Sequence, residues 1–262
     1  MACEILPATD ATIAEIEVWL DAEETVYQTA IDVWERGGWI DNKPARGFRC
    51  NWNSVKRSWR ENSARVDILV VDGEAAGFLA GTDILEIRPD LRGKGHGRAL
   101  AEFMVELAMK EGRSVLEIEI APYTAEPFWR RMGFTEMPHR RGSGGGMYAY
   151  RVLPRRFVLR DGARVPFTVQ FYTEHERYSN NSAPISRFSG FGERLADRSI
   201  QLPERAFCFV PESDQTGDSF VSIELDGEVI HFDKNKRESS KTHGVDLDAG
   251  YTYYLDRIIP TP

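Results

Sequence analysis

The N-terminal stretch from Ala11 to Arg36 places apolar residues at helical spacing and contains neither Gly nor Pro. Residues three and four positions apart lie on one face of a helix. The pattern therefore predicts one long helix, or two helices that meet at a bend near Asp21, and Gly37-Gly38 ends it. The apolar positions that carry this pattern are Ile13, Ile16, Leu20, Tyr27, Ile31 and Trp34.

The residues that follow predict short strands separated by turns, together with further helices. Val66–Val71 and Ala75–Ala80 flank Asp72-Gly73, a dipeptide typical of a tight β-hairpin turn. A short helix with Asn53 as its N-cap is expected before this hairpin. The other predicted elements are strands at Ile84–Arg88, Val115–Ile120, Phe134–Met137 and Met147–Val152, helices at Arg98–Lys110 and Ala125–Met132, and a loop at Gly142–Gly146.

From Pro154 onward the chain shows no long helical period, and strand-like runs alternate with turn signals. The polar stretch Ser179–Ser199 predicts a long loop. We therefore place a domain boundary between residues 153 and 154, with a β-rich domain of unknown role over residues 154–262. Its predicted strands are Phe157–Leu159, Val165–Tyr172, Ala206–Val210, Phe220–Leu225, Glu228–Phe232 and Tyr251–Leu255.

Composition narrows the classes of protein that fit. The chain has 262 residues, 42% of them hydrophobic, which suffices for packed cores in one large domain or two ordinary ones. A formal net charge of −8 argues against general binding to nucleic acid or an anionic membrane, so we expect neither as a partner. The N-terminus shows no basic stretch followed by an apolar core, and no apolar run approaches the roughly 20 residues that span a bilayer. We expect a cytoplasmic protein.

Cysteine and histidine positions give no sign of a metal site. Cys3, Cys50 and Cys208 form no C-x-x-C pair, and the five histidines show no ligand spacing. We therefore expect neither a disulfide framework nor a bound metal, and we expect Cys50 and Cys208 to be small buried residues.

The strongest chemical signal is a strand, a turn and a glycine-rich loop that opens a helix, between Ile84 and Arg98. Backbone N–H groups at a helix start are unpaired, and the helix dipole favours an anion there. Glycines let an anion approach the backbone closely, so the loop can form a pyrophosphate cradle. The alternative is an ordinary strand-to-helix turn with solubilising charges. The loop residues are Arg92, Gly93, Lys94, Gly95, His96, Gly97 and Arg98.

Three motifs in order resemble the GNAT superfamily of N-acetyltransferases. Arg92-x-x-Gly95-x-Gly97 is similar to the [QR]-x-x-G-x-[GA] signature of that family, and Leu85-x-Ile87-x-Pro89 is similar to its fourth strand. The segment Phe128–Phe134 resembles the later F-Y-x-x-x-G-F element. The resemblance covers residues 1–153 and implies an α/β (α+β) GNAT-like fold with a mixed, mostly antiparallel sheet.

The resemblance also implies an activity, which is transfer of acetyl from acetyl-CoA to a primary amine of a small molecule or a protein by direct attack. In the family, the loop amides hold the CoA pyrophosphate and the strand at Leu85, Glu86 and Ile87 pairs with the pantetheine arm. The N–H near Ile87 would polarise the thioester carbonyl. Acetyl-CoA is then the acyl-donor substrate, and Trp129 lies in the segment that contacts it.

Three interpretations of the general base stay open at this point. Glu117 is the first candidate, because Leu116-Glu117-Ile118 matches a strand pattern in which some family members place a catalytic glutamate. Glu86 is the second candidate, and a mechanism without a side-chain base is the third. Glu119 shares a sheet face with Glu117.

Two departures from the family pattern concern the leaving group. Trp129 stands where many members have a tyrosine that protonates the thiolate, and Pro122 stands where many have an asparagine. Tyr123 or Thr124 is a candidate replacement for either role. These departures favour, as one alternative, a catalytically inactive GNAT-like module that binds CoA or a partner.

A second alternative is a toxin-type acetyltransferase that acts on aminoacyl-tRNA, suggested by a dense set of arginines. Solvated charges or a domain junction explain the same arginines, and we prefer that interpretation. The strand edges of the C-terminal domain need covering, so we expect them to contact either the first domain or a second subunit, the latter in a homodimer. The arginines are Arg130, Arg131, Arg140, Arg141, Arg151, Arg155 and Arg156. Trp39, Trp52 and Trp59 form either an aromatic wall for the acceptor or part of the core, and we favour the core.

Overall fold

A computed structural model describes residues 3–40, 42–141, 146–173, 183–211 and 218–260. The chain divides into two compact units, Met1–Leu107 with Ile118–Gly133, and Ala108–Glu117 with Phe134–Pro262. The boundary at residues 153 and 154 stays a prediction. The helices are α1 (Asp10–Arg36), α2 (Arg49–Arg60), α3 (His96–Lys110), α4 (Glu126–Arg131) and α5 (Glu238–Thr242).

The strands are numbered in chain order as follows. The first seven are β1 (Cys3–Pro7), β2 (Val66–Val71), β3 (Glu74–Ala80), β4 (Ile84–Ile87), β5 (Val115–Ile120), β6 (Thr135–Arg141) and β7 (Met147–Val152). The others are β8 (Arg164–Tyr172), β9 (Ser186–Arg194), β10 (Ile200–Phe207), β11 (Phe220–Leu225), β12 (Glu228–Lys234), β13 (Asp246–Leu247) and β14 (Tyr253–Ile258). The predicted fold class is confirmed, since helices and antiparallel strands mix in the N-terminal part and the C-terminal part is mainly β.

The first unit is built on an antiparallel sheet in the order β1-β2-β3-β4. The predicted hairpin forms, and Asp72 and Gly73 both adopt positive φ, at 50° and 91°, as a type I′ turn requires. Gly77 lies opposite Ile87, and a Cβ there would come within 2.5 Å of the Glu86 carbonyl oxygen. The sheet therefore has no room for a side chain at this point, which fixes where β4 lies.

α1 is one continuous helix of 27 residues, without a break at Asp21. Thr9 and Thr12 cap its start reciprocally, each hydroxyl accepting the other residue's backbone N–H. The helix buries one face in the core of this unit. The buried residues of that face are Ile13, Ile16, Trp19 and Leu20, which pack in a cluster with β2, β3 and α2.

The prediction that Asn53 caps a short helix was wrong. α2 begins at Arg49, so Asn53 lies inside the helix rather than at its N-cap. No side chain caps the helix; burial of Trp52 and Val55 against the core fixes its position instead. β1 was missed because its pairing with β2, from Cys3 opposite Val71 onward, is long-range. The sequence pattern of the five residues of β1 cannot show by itself that β2 is the partner strand.

The second unit contains a seven-stranded antiparallel sheet in the order β12-β11-β8-β9-β10-β14-β13. A three-stranded sheet in the order β5-β7-β6 includes β5, which passes from one unit to the other after Glu117. The core of the large sheet draws residues from most of its strands. Its fully buried members include Val169, Phe171, Ile200, Leu202, Ala206, Cys208, Val221, Ile223, Leu255 and Ile258.

Several predictions for the C-terminal part were wrong. β9 occupies Ser186–Arg194 inside the predicted loop. This strand forms because it pairs with β8 over eight residues, and its polar sequence alone does not indicate that pairing. Residues 179–182 of that loop, and 142–145 of the predicted glycine loop, lie outside the described residues. Phe157–Leu159 is not a strand, β10 ends at Phe207 instead of reaching Val210, and β14 begins at Tyr253.

The two cysteines that were expected to be buried differ in their exposure. Cys208 is buried as expected, whereas Cys50 is exposed, because α2 turns it away from the core face that holds Trp52. No helix in the described part of the chain has the length and apolar character needed to span a membrane.

Candidate functional site

The glycine-rich loop connects the end of β4 to the start of α3 in the first unit. Gly93 and Gly95 adopt φ of 78° and 90°, and a Cβ at either position would meet no atom within 4 Å. These glycines are therefore required by backbone conformation, and the space beside them is open. α3 begins at His96, and Ala99 donates the first backbone bond back to Gly95, at 3.2 Å. The loop and helix start thus present unpaired N–H groups in a form that suits an anion.

The three cations of the loop have different surroundings. Lys94 is exposed, and Arg98 forms an exposed pair with Glu102 at 2.8 Å. Arg92 turns back toward β4, where its Nε donates to the Ile87 carbonyl oxygen at 2.9 Å. Its Nη2 lies 3.0 Å from Glu23 Oε1 and 3.5 Å from Glu86 Oε2. Arg92 therefore connects the loop to two carboxylates.

Glu86 lies on β4 directly opposite Phe78 of β3, and its side chain is 20% exposed. Burial raises the pKa of its carboxyl group to about 7, and the nearby charge of Glu23 acts in the same direction. The Arg92 guanidinium and the Ile87 N–H act in the opposite direction and lower that pKa. A carboxyl group with this pKa is partly ionised at neutral pH, so it can accept and release a proton there.

β4 is the edge strand of its four-stranded sheet. Arg88 donates its N–H to the Ala76 carbonyl oxygen of β3 at 2.8 Å. Because successive residues of a strand point their N–H groups to opposite sides, the Ile87 and Leu85 N–H groups face away from β3. They lie on the outer edge of the sheet, where an extended ligand can pair with the Leu85 N–H, and with the Ile87 N–H in exchange for its bond to the Glu86 carboxyl group.

Glu23 on α1 was not identified from the sequence, because one glutamate among several on a long helix carries no distinct signal. Its side chain is 17% exposed, and Oε1 accepts from Arg92. Oε2 is buried and has no hydrogen-bond partner among the described residues. A Cβ on Gly47 would lie 2.7 Å from this oxygen, so the glycine lets the carboxylate approach the segment before α2.

The first candidate base has a different environment. Glu117 belongs to the second unit, its side chain is 39% exposed, and its carboxylate accepts from Arg140 Nη1 at 2.5 Å. Glu119 is exposed. Of the glutamates that the sequence suggested, Glu86 is thus the one with a strongly desolvated carboxyl group.

The other predicted site residues separate into buried and exposed groups. Trp129 is buried in α4 and contacts Phe128 edge-on, with ring centroids 5.0 Å apart. The Phe128 ring in turn lies 3.6 Å from where a Cβ of Gly97 would be, so α4 packs beside the start of α3. Tyr123 is 69% exposed in a 3-10 turn. His96 is buried, and its Nε2 has no partner among the described residues.

The three tryptophans do not form one wall. Trp52 is fully buried, Trp59 packs partly buried against the same core, and Trp39 is exposed and stacks on Trp34. Of the arginines, Arg130 pairs with Glu126 and Arg140 with Glu117. The side chain of Arg141 lies outside the described residues. In the described ranges, no three His, Cys, Asp or Glu side chains are grouped to hold a metal ion.

Comparison with known proteins shows which family model the sequence matches. Residues 23–134 match the model described as the acetyltransferase (GNAT) family. This range contains Glu23, β4, the glycine-rich loop and α4. No curated protein sequence matches the chain.

Several solved structures with a similar backbone are described as acetyltransferases. The PaiA N-acetyltransferase of Thermoplasma acidophilum, solved in complex with coenzyme A, is 14% identical with a TM-score of 0.41, over 58% of this chain and 100% of that one. A GCN5-related N-acetyltransferase of Rhodopseudomonas palustris is 17% identical, with a TM-score of 0.43, over 58% and 97%. The ribosomal-protein-alanine N-acetyltransferase of Brucella melitensis is 16% identical, with a TM-score of 0.40, over 57% and 99%. These TM-scores lie below 0.5, so the assignment rests on the sequence match: the chain contains a GNAT-family acetyltransferase domain over residues 23–134.

Proposed function

We propose that this protein transfers the acetyl group of acetyl-CoA to a primary amine by direct attack, with Glu86 as the general base. The observation that carries the proposal is the buried Glu86 carboxyl group, whose pKa of about 7 suits proton transfer at neutral pH. It lies on the edge strand and next to the loop whose backbone suits a diphosphate. This choice reverses the order of the two sequence candidates, because Glu117 is paired with Arg140.

The residues present fit the donor in two places. The open, positive-φ backbone at Gly93 and Gly95 and the unpaired start of α3 would hold the diphosphate. The outer edge of β4 would pair with the pantetheine arm, and the Ile87 N–H, on exchanging its bond to the Glu86 carboxyl group for one to the ligand, would polarise the thioester carbonyl. Acetyl-CoA, when bound, supplies the thioester.

Glu86 has one step to perform in this scheme. An amine is an ammonium ion at neutral pH, so Glu86 takes one proton from it and leaves a nucleophilic nitrogen. The N–C bond then forms as the C–S bond breaks. The second nitrogen proton balances the released sulfur as a thiol. Trp129 cannot serve as the acid for this last proton, because an indole N–H is a far weaker acid than a phenol.

The first arm of the test is calorimetric titration with acetyl-CoA of the wild type, Gly95→Glu and Gly73→Glu. The two glycines share a φ near 90° and empty surroundings, so both variants carry the same backbone strain. Only Gly95→Glu places a carboxylate in the proposed cradle. We expect binding in the wild type and Gly73→Glu, and none in Gly95→Glu.

The second arm measures turnover with a panel of primary amines against pH. The wild-type rate should rise as pH increases through about 7, because the ionised form of Glu86 is the active one. Glu86→Gln should lower kcat by about 10²- to 10⁴-fold and leave acetyl-CoA affinity unchanged. A wild type that binds acetyl-CoA but turns over no amine would instead support the inactive binding module, which Trp129 and Pro122 favour.

A further inference from the structure

Two buried histidines of the second unit stack on each other. His231 lies on β12 and His243 directly follows α5, and their ring centroids are 4.3 Å apart with the planes tilted by 20°. The two residues are 9% and 7% exposed. Histidine is the side chain whose charge ordinarily changes between about pH 5 and pH 8. The pair therefore places two titratable rings in contact where little water reaches them.

Hydrogen bonds fix which nitrogen of each neutral ring carries the proton. His243 Nδ1 lies 2.8 Å from the Ser239 carbonyl oxygen, which only accepts, so this nitrogen donates. Ser240 Oγ donates to the Lys234 carbonyl oxygen at 2.8 Å, and it therefore accepts from His231 Nε2 at 2.9 Å. A further proton enters at His231 Nδ1 or His243 Nε2 and gives that ring a positive charge.

The two rings hold the short helix α5 against β12. Each ring bonds one serine of this helix, and Ser239 Oγ also donates to Asp233 Oδ2 of β12 at 2.7 Å. A helix of five residues is not stable by itself, so α5 depends on such contacts. The chain then passes through Val245, which is 3% exposed in the core of the large sheet, to the edge strand β13. The histidine pair thus lies where α5 and β13 are attached to the sheet.

The surroundings of His231 disfavour its charged form. Burial lowers the pKa of His231 below its ordinary value of 6.5, and a positive charge on His243 acts in the same direction. The Asp233 carboxylate raises that pKa, but it is also engaged with Ser239 and with the charge of Arg237. His231 consequently binds a proton less readily in the folded protein than in water.

The other charged groups of the neighbouring elements point elsewhere or have partners of their own. Ile223 of β11 lies opposite His231, so the next residue, Glu224, points to the other face of the sheet. Glu228 is exposed at the start of β12. Asp233 is therefore the carboxylate on which a charged His231 depends. The paired groups of β12, α5, β13 and β14 are Lys234 and Lys236 with Asp218, Lys241 with Glu238, Asp246 with Tyr254, Asp256 with Arg205, and Arg257 with Gln201.

The folded pair accommodates one proton better than two. One added charge interacts with Asp233, whereas a second places two imidazolium rings 4.3 Å apart in a buried site. When α5 detaches, both rings reach water and both can bind a proton. The attached state therefore binds fewer protons than the detached one. Its extra stability is present above pH 6.5 and is lost as the pH falls below that value.

We propose that the His231–His243 pair is a pH-sensitive switch, and that its double protonation detaches α5 and β13 from the large sheet. Detachment uncovers Val245 and opens the edge of β14 at the residues that pair with Asp246 and Leu247. An unpaired strand edge beside an exposed apolar core can bind a further strand. The switch does not depend on the proposed acetyl transfer.

Hydrogen–deuterium exchange of the full chain between pH 7.5 and pH 5.0 tests the switch. Protection of the backbone amides of residues 238–247, corrected for the intrinsic pH dependence of exchange, should fall below pH 6.5. The fall should be up to about tenfold per pH unit for each proton that only the detached state binds. These amides should also exchange faster than those of β8 and β11, because α5 and β13 detach without unfolding of the whole sheet.

A double variant removes the titration and keeps the hydrogen bonds. In His231→Gln/His243→Asn, the amide nitrogens replace Nε2 and Nδ1 as donors to Ser240 Oγ and the Ser239 carbonyl oxygen. The pH-dependent loss of protection at residues 238–247 should disappear. His139→Gln, which changes an exposed histidine of β6, should behave like the wild type.

Nitrogen NMR of the wild type with isotope-labelled histidine is a second measurement, which does not require the double variant to fold. It should show His231 Nε2 and His243 Nδ1 as the protonated nitrogens of the neutral rings, and both rings should gain charge in the pH range where protection is lost. Two charged rings with α5 still protected would overturn the proposal. So would an equal loss of protection in the double variant, no loss in the wild type, or exchange of residues 238–247 only together with β8 and β11.

Discussion

The two units of the chain differ in how many buried polar side-chain atoms lack a hydrogen-bond partner among the described residues. In the first unit, Trp19 Nε1, Glu23 Oε2, Trp52 Nε1 and His96 Nε2 are buried without a partner among the described residues. In the described part of the second unit, Asn235 Oδ1 is the single side-chain atom of this kind. Buried polar groups are normally paired, so unpaired ones mark places where a ligand or water completes the structure. The difference agrees with the proposal that acetyl-CoA binds to the first unit.

The second unit shows the opposite arrangement at Arg205. Its guanidinium is buried, forms two bonds of 2.8 Å with the Asp256 carboxylate, and lies 3.6 Å from the Tyr254 ring centroid. It also donates to the Gly112 carbonyl oxygen. Asp248 accepts backbone N–H groups from Ser114, Gly250 and Thr252 at 2.6, 2.8 and 3.0 Å. Residues 112–114 are held in the second unit by these bonds.

The largest expected effect tests whether this pairing stabilises the second unit. Arg205→Ala should lower its free energy of unfolding by about 3–5 kcal/mol, because Asp256 would be left as an unpaired charge. Arg98→Ala, which removes an exposed pair with Glu102, should change stability by less than about 1 kcal/mol. Urea denaturation followed by circular dichroism measures both. Equal effects of the two variants would contradict the comparison.

A second prediction concerns pH and the first unit. The pKa of Glu86 is raised to about 7 in the folded protein, so the native state binds more protons than the unfolded state between its ordinary value and about 7. This group should therefore stabilise the fold at acidic pH and lose that contribution as pH rises toward 7, by up to about 3 kcal/mol. Glu86→Gln should remove the dependence. Denaturation midpoints of both proteins at pH 5 and pH 8 would show it, and parallel midpoints would contradict it.

The smallest expected effect comes from the same chemical change, a carboxylate replaced by an amide, made once in each unit. Asp248→Asn should cost about 1.5–3 kcal/mol, because an amide cannot accept all the N–H groups that this carboxylate accepts. Glu23→Gln should change stability by less than about 1 kcal/mol, because its partner Arg92 is half exposed and keeps its bond to the Ile87 carbonyl oxygen. Thermal unfolding of the two variants gives the sign of each change. A loss of stability in Glu23→Gln as large as in Asp248→Asn would show that Glu23 serves the fold.

The sequence predicted the regular elements of the N-terminal part well where the signal was local. The helical period gave α1, Asp72-Gly73 gave the β2–β3 turn, and the glycine-rich loop was located together with its helix. Elements that depend on a distant partner were missed. β1 needs β2, and β9 needs β8, so neither could be recognised from its own residues.

The residues of the candidate site also divide into those that a local sequence pattern predicts and those that depend on distant neighbours. The sequence by itself determined the motif from Leu85 to Arg98, because backbone conformation at Gly93 and Gly95 and the start of a helix are local properties. It could not rank Glu86 against Glu117, since both are glutamates in short strands. Tertiary packing separates their environments, since it buries Glu86 opposite Phe78 and leaves Glu117 exposed beside Arg140, and the proposal of Glu86 as the base depends on this difference. Glu23 and the unpaired indoles of Trp19 and Trp52 likewise became visible only in three dimensions, because desolvation depends on neighbours that are distant in the chain.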